Sequence, residues 1–204
     1  MDKHIIINIG RQYGSGGRIV AEALGKRLGL AVYDRELLIK AAEKSGLSEA
    51  LFKQNDERRS FLNLDSVFGA PRYGDFGRNM LNDGELYRIQ SETIRDLAMQ
   101  GSAIFVGRAS DYVLRDLVTL DVFISAPLEV RKATVAARLG VSADEAEVII
   151  RKQDRRRKDY YDLITMGDNW GVAGNYDLCV DSSILGPEGT ADFIIRFGQE
   201  TGRI

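Results

Sequence analysis

Apolar and polar positions along the chain fall into two alternating rhythms. Short apolar runs of strand length, Ile5–Ile9, Leu30–Tyr33, Ala103–Val106, Asp121–Ser125 and Asp177–Asp181, are separated by longer stretches in which apolar residues recur every three or four positions. Strands that alternate with helices predict a parallel sheet covered by helices. After the first run, Val20, Ala23, Leu24 and Leu28 share one helical face, and Gly29 is placed to end that helix in a left-handed cap. A second helix is predicted over Gly84–Met99, with Asp83 as its cap, Leu86, Ile89, Thr93, Ile94 and Leu97 on one face, and Gly101 beyond its end. The stretch "SADE", Ser142–Glu145, is a capping box. It opens a helix that turns Ala146, Ile149 and Ile150 inward and runs on into the basic "RKQDRRRKDYY".

Two regions break this alternation. Residues 52–83 are polar, carry Gly69, Pro71, Gly74 and Gly77, and hold no sustained period, so they read as an exposed, movable insertion between the second and third strands. "MGDNWGVAGN", Met166–Asn175, reads as a loop. At 204 residues the chain suits a single α/β domain over 1–204 with these two appendages. The formal charge of −2 gives no global pull toward nucleic acid or anionic lipid, so basic sites must be local. A single cysteine, Cys179, excludes an internal disulfide framework and a cysteine-rich zinc site, and its setting in "YDLCV" predicts an inert core thiol. The apolar run at the N-terminus is too short for a signal peptide, and no stretch reaches the ~18 apolar residues of a membrane span. A soluble, cytoplasmic protein without nucleic-acid or membrane partners is expected.

Chemistry concentrates first in "GRQYGSGGR", Gly10–Arg18, which joins the first strand to the first helix. Glycines let successive backbone N–H groups turn toward one anion, and the following helix presents its unsatisfied donors and positive dipole end to the same point. The phosphate-loop pattern G-x-x-x-x-G-K-[ST] is partly met. With Gly17 as its second glycine, Arg18 takes the lysine position, Gln12 the first glycine and Ile19 the Ser/Thr. Arginine keeps the positive charge as a planar fork, and isoleucine offers no hydroxyl to Mg²⁺. A plain strand-to-helix turn is the alternative reading of the same glycines.

Further fragments occur in a recognisable order: "SGGR" after the first strand, "YDRELL" after the second, "FVGRASDYVLRD" around the end of the third, "APLEVR" after the fourth, then "DRRRKDYY" and "NYDLCVDSS". Together they resemble the cytidylate kinase-like family, a branch of the P-loop nucleoside monophosphate kinases, over nearly the whole chain. The resemblance implies a three-layer P-loop kinase-like fold: a five-stranded parallel sheet with helices on both faces, the phosphate loop after a central first strand, a substrate-side insertion (about 52–83) and an arginine-rich lid (about 140–175). It implies phosphoryl transfer from ATP, accompanied by Mg²⁺, to a nucleoside monophosphate such as CMP or a related small phosphorylated acceptor.

Residue by residue, the resemblance places Gly14, Ser15, Gly16, Gly17, Arg18 and Ile19 around the donor phosphates. Asp34 matches an aspartate near the acceptor nucleotide, with Arg35 beside it at the sheet's carboxyl edge; a helix cap is the alternative for Asp34. Arg108, in "GR", faces the acceptor phosphate, while Ala109 stands where cytidylate kinases carry an aspartate and Asp111 could hold a metal only through water. Asp154 and Arg157 match the lid's D-x-x-R, the first near the acceptor nucleotide and the second near phosphate. Arg138 is a candidate for donor-nucleotide contact and Arg131 for a structural role, whereas Tyr160 and Tyr161 either stack on a base or anchor the lid helix. Arg18, Arg108 and Arg157 would be the catalytic charges. A sensor that binds nucleotide or phosphate without transfer, a kinase for a different acceptor, and a homodimer all remain open at this point.

Overall fold

The computed structural model describes residues 4–44, 76–167 and 170–204. Five strands, β1 (Ile6–Arg11), β2 (Ala31–Tyr33), β3 (Ala103–Val106), β4 (Leu120–Ser125) and β5 (Leu178–Asp181), form one parallel sheet in the order β2-β3-β1-β4-β5. The first strand is therefore central, as the family resemblance implied. It runs two residues past the expected end, because Gly10 and Arg11 continue the pairing with Phe123 and Ile124 of β4.

Helices cover both faces. Alternation along β1 sends Ile7 and Ile9 into a core shared with Val20 and Leu24 of α1 (Gly17–Leu28) and Ala191 and Ile194 of α7 (Ser182–Glu200). Ile6 faces the opposite side, where Phe105 packs with Leu38 of α2 (Arg35–Lys44), Ile94 and Ala98 of α3 (Phe76–Gln100), and Val113 of α4 (Ser110–Val113). A third, smaller cluster joins α5 (Leu128–Leu139) to α6 (Ala143–Thr165) through Val135, Ala146 and Ile150, with Tyr13 packed against it. Caps fall where the residue types place them. Gly29 ends α1 at φ 67°, and Ser142 and Glu145 close a reciprocal capping box at the start of α6.

Two expectations change, and that of a loop after α6 holds. The helix predicted to start at Gly84 begins at Phe76, so Asp83 lies inside it, and 76–83 belong to α3 rather than to the insertion. Glycine inside a helix costs only about 1 kcal/mol, which the surrounding turns override, so Gly77 and Gly84 do not act as breakers. The rest of the expected insertion, 52–75, lies outside the described residues. The stretch Met166–Asn175 is a loop that starts on a left-handed Met166 (φ 57°) and contains a short 3₁₀ turn, Ala173–Asn175, with residues 168 and 169 outside the described set. Cys179 is exposed rather than core. It lies on β5, an edge strand, beside Phe123 of β4, so the apolar run around it signals a strand but not two covered faces.

Leu24 is fully buried between the sheet and α7. Leu24→Ala is expected to cost about 3 kcal/mol, lowering the thermal midpoint by roughly 10 °C in a scanning calorimetry comparison with the parent chain.

Candidate active site at the carboxyl edge of the sheet

In open parallel sheets the strand ends and the helix starts that follow them converge on one edge, and ligands bind there. Here β1 delivers Gly10 and Arg11, β3 delivers Gly107 and Arg108, and α6 returns across the same edge with Arg156, Arg157, Tyr160 and Tyr161. Between them lies a cleft of about 230 Å³ that also touches Arg35, Asp111, Trp170 and Tyr176.

The glycine loop beside this cleft is held from below. Gln12 donates its N–H to the Ile124 carbonyl (3.0 Å), and its side-chain oxygen accepts from the Ala126 N–H (3.2 Å). Ser182, at the start of α7, donates to the Ser15 carbonyl. Asp154 reaches back from α6: one carboxylate oxygen accepts from the Tyr13 N–H and the other from Arg131 Nη1, both at 2.6 Å. Arg131 is buried and donates further to the Ala126 and Tyr13 carbonyls. The loop is thus clamped to the α5–α6 hairpin by an ion pair.

Past the clamp, Gly14 and Gly16 take left-handed conformations (φ 83° and 75°), and α1 begins at Gly17 with no side-chain cap and no acidic residue in its first turn. Its first N–H groups have no intrahelical partner and face no competing carboxylate of that turn. This start also corrects the motif register. The glycine needed for positive φ is Gly16, so the position that opens the helix, where the motif has lysine, holds Gly17. The Ser/Thr position then holds Arg18 and the first-glycine position holds Arg11. Arg18 points away from the loop, pairing with Glu22 (3.1 Å) and Asp34 (3.3 Å) with its side chain 65% exposed. Ile19 is exposed on the outer face of α1.

Arginines dominate the cleft. Arg157 Nη1 donates to the Arg11 carbonyl (2.9 Å). Burial, reinforced by Arg157 and then Arg108, brings the Arg11 guanidinium down to about 9, and burial lowers Arg157 as well. A guanidinium stays charged at neutral pH, so these shifts report mainly the cost of burying a permanent cation, which Asp34 and Asp154 offset only in part. Arg108 is set by a strained turn: Gly107, Arg108 and Ala109 are successively left-handed (φ 75°, 66° and 53°). Its Nε donates to Gln90 (2.7 Å), and its guanidinium lies 3.7 Å from the centre of the Tyr160 ring. Tyr160 therefore orients an arginine.

The basic run of α6 separates by face. Arg151 and Arg155 pair outward with Glu147 and Asp159, while Arg156 and Arg157 turn to the cleft. Arg138 lies 5.0 Å and Arg157 5.4 Å from the ring centre of Tyr13.

Asp111 accepts a hydrogen bond from Tyr161 (2.6 Å), and burial pushes its carboxyl up to about 6, the hydrogen bond partly opposing. Asp34 caps α2, its Oδ1 accepting from the N–H groups of Glu36 and Leu37 at 3.1 Å each, while its other oxygen meets Arg18. Among the described residues no three His, Cys, Asp or Glu side chains converge as metal ligands, the Ser/Thr position carries Arg18, and Asp111 is tied to Tyr161. These residues do not fit a resident Mg²⁺.

Of the positions singled out in the sequence, Arg35, Arg108, Asp111 and Arg157 meet in the cleft, with the Gly14–Gly17 backbone beside it. Asp154 and Arg138 lie one layer back, and Arg18, Asp34 and Ile19 are not among the residues that line the cleft. Arg11 was passed over in the sequence. The signal for it was present in "GRQYGSGG", read one residue earlier.

Comparison with known proteins adds a decisive match: the model of the cytidylate kinase-like family aligns with residues 6–184. This chain belongs to that family. The chain is 28% identical to a cytidylate kinase of Methanopyrus kandleri, over 88% of this chain and 85% of that one. An uncharacterized protein from Eubacterium ventriosum has a crystal structure that superposes with a TM-score of 0.71 at 25% identity, covering 97% of this chain and 99% of the other. Shikimate kinase from Bacteroides thetaiotaomicron superposes at 0.53 with 12% identity, covering 98% and 99%, a likeness of fold alone. Among the described residues no helix of this family member is long and apolar enough to cross a membrane.

Asp154→Ala removes the partner of a buried arginine, so it is expected to cost about 3 kcal/mol in urea unfolding. Asp111 supplies a pH test. A carboxyl raised to about 6 in the folded state favours folding fully below its ordinary value of 3.8, and that contribution is lost as pH rises through 6. Asp111→Asn should therefore gain stability relative to the parent between pH 4 and pH 7, on the order of 2 kcal/mol, read from urea midpoints across that range.

Proposed function

We propose that the protein transfers the terminal phosphoryl group of ATP to a phosphate oxygen of a nucleoside monophosphate, CMP or a close relative. The observation that carries this reading is the convergence of Arg11, Arg108 and Arg157 on one cleft beside an uncapped, acid-free helix start. Such a place favours a ligand with several negative charges. Family membership and the cytidylate kinase relatives favour nucleotides as that ligand.

In the transfer, an oxygen of the acceptor phosphate forms a bond to the γ-phosphorus while the bond from that phosphorus to the β–γ bridging oxygen breaks, releasing ADP. The protein's part is alignment and charge neutralisation. The Gly14–Gly17 backbone and the first turn of α1 hold the donor phosphates. Arg108, fixed by Gln90 and Tyr160, and Arg157, fixed on the Arg11 carbonyl, hold the acceptor phosphate and meet charge that develops between the two nucleotides. Arg35 and Arg156 extend the acceptor side. Asp154 is a positioning residue, acting through Tyr13 and Arg131, and Arg138 sits where the α5–α6 hairpin borders the donor. With the hairpin over the cleft, water has less access to the γ-phosphorus. Mg²⁺ belongs to the substrate, carried by the phosphates of ATP.

A second reading, nucleotide binding without transfer, is favoured by one observation: the helix opens Gly17-Arg18, without the lysine and the hydroxyl of the usual loop. The two readings separate in one assay. Purified protein with Mg-ATP and a panel of nucleoside monophosphates is expected to release ADP above the acceptor-free background, with CMP among the active acceptors. Arg108→Ala should lower kcat/KM by roughly a hundredfold. Tight ATP binding with no acceptor-dependent ADP for any member of the panel would instead establish the sensor.

A further inference from the structure

Arg11 and Gly17 are exchanged relative to the usual loop: an arginine stands at the first-glycine position and a glycine at the lysine position. The geometry ties the two together. A Cβ built on Gly17 would lie 2.6 Å from Arg11 Cβ and 3.0 Å from Arg11 Cγ, so no side chain fits at position 17 while the Arg11 stem crosses it. At the far end of the same side chain, a Cβ on Gly107 would lie 1.8 Å from Arg11 Nη1 and 3.0 Å from Cζ. Two glycines from different parts of the chain thus leave a channel that one arginine fills, from the first residue of α1 to the end of β3.

We infer that Arg11 supplies the cation for the donor phosphates, entering from the strand end over Gly17 and replacing the lysine that would otherwise extend from the helix start. This rests on the kinase reading and names the group that performs one of its tasks. Three observations support it. The stem lies directly over the residue whose side chain would normally do the work. The guanidinium ends between the open helix start and Arg108, where a terminal phosphate must pass to reach an acceptor held by Arg108. Among the described residues, no carboxylate forms a salt bridge with Arg11, although Arg18 has two. Burial, with Arg157 and Arg108 around it and Asp34 only partly opposing them, makes that charge costly without an anion beside it. Arg18, exposed and paired with Glu22 and Asp34, is displaced from the role that the sequence suggested for it.

The test is titration calorimetry with Mg-ATP on four folded proteins, their folding checked by circular dichroism and thermal melting: the parent, Arg11→Gln, Arg18→Gln, and the double exchange Arg11→Gly with Gly17→Lys. Arg11→Gln keeps a stem over Gly17 and removes the charge; it should weaken Mg-ATP by about thirtyfold, and Arg18→Gln by less. The double exchange should recover binding to within a few-fold of the parent, because the lysine then has the space that Arg11 vacated. Parent-like affinity in Arg11→Gln, or a larger loss in Arg18→Gln, would overturn the assignment and leave the kinase reading standing. If Arg11→Gln fails to fold, the double exchange decides: binding supports the assignment, and a folded double variant that does not bind rejects it. A parent that does not bind Mg-ATP removes the kinase reading and this inference together.

Discussion

Repulsion among guanidiniums that share a cleft is the constraint around which the rest of this molecule is arranged. Arg157 is held on the Arg11 carbonyl, and Arg108 on the Gln90 amide oxygen and the Tyr160 ring face. A carbonyl, an amide oxygen and a ring face position a guanidinium without cancelling its charge. Such a cluster stores unfavourable electrostatic energy, and the fold must supply it from elsewhere. The two apolar cores on either face of the sheet are that source, since burial of their side chains contributes far more than the cluster costs. On the proposed function, an anion of high charge density would relieve this stress.

The Asp154–Arg131 pair gives this arrangement its rigidity. It joins the glycine loop to the α5–α6 hairpin with both carboxylate oxygens engaged, and Arg131 donates further to the Ala126 and Tyr13 carbonyls. A buried ion pair of this kind adds little net stability but penalises any arrangement in which one partner is left alone. Its effect here is registration: the residues of α6 that face the cleft are held at a fixed distance from the loop. The aspartate of the D-x-x-R pattern thus sits one layer behind the cleft, while the arginine three residues on, one turn along the same face, lines it.

Much of the fold was readable from the spacing of apolar residues. All five strands and the helix after β1 stand close to where that spacing put them, and the helix before β3 ends where its glycine stop placed it but starts eight residues earlier. Legibility failed where a local rule met a tertiary one. Gly77 and Gly84 look like breakers but are carried within a long helix, and Cys179 has apolar neighbours in sequence but sits on an edge strand. Around the cleft, the lining residues Arg35, Arg108 and Arg157 are among the positions that the sequence singled out. The loop register was not legible, since three of the four residues Gly14–Gly17 are glycines and only the backbone shows which one must be left-handed. Arg11 escaped for the same reason: its significance lies in contacts with Gly17 and Gly107, one of them 96 positions away in the chain.

The chain holds one tryptophan, Trp170, and it stands in the wall of the cleft, edge-on to Phe123 with ring centres 5.3 Å apart. Its backbone N–H is donated to Asp162 on α6, so the indole is coupled both to the hairpin and to the sheet. The molecule therefore carries an intrinsic fluorophore at the mouth of its own site, whose emission reads the polarity of that pocket without any label attached.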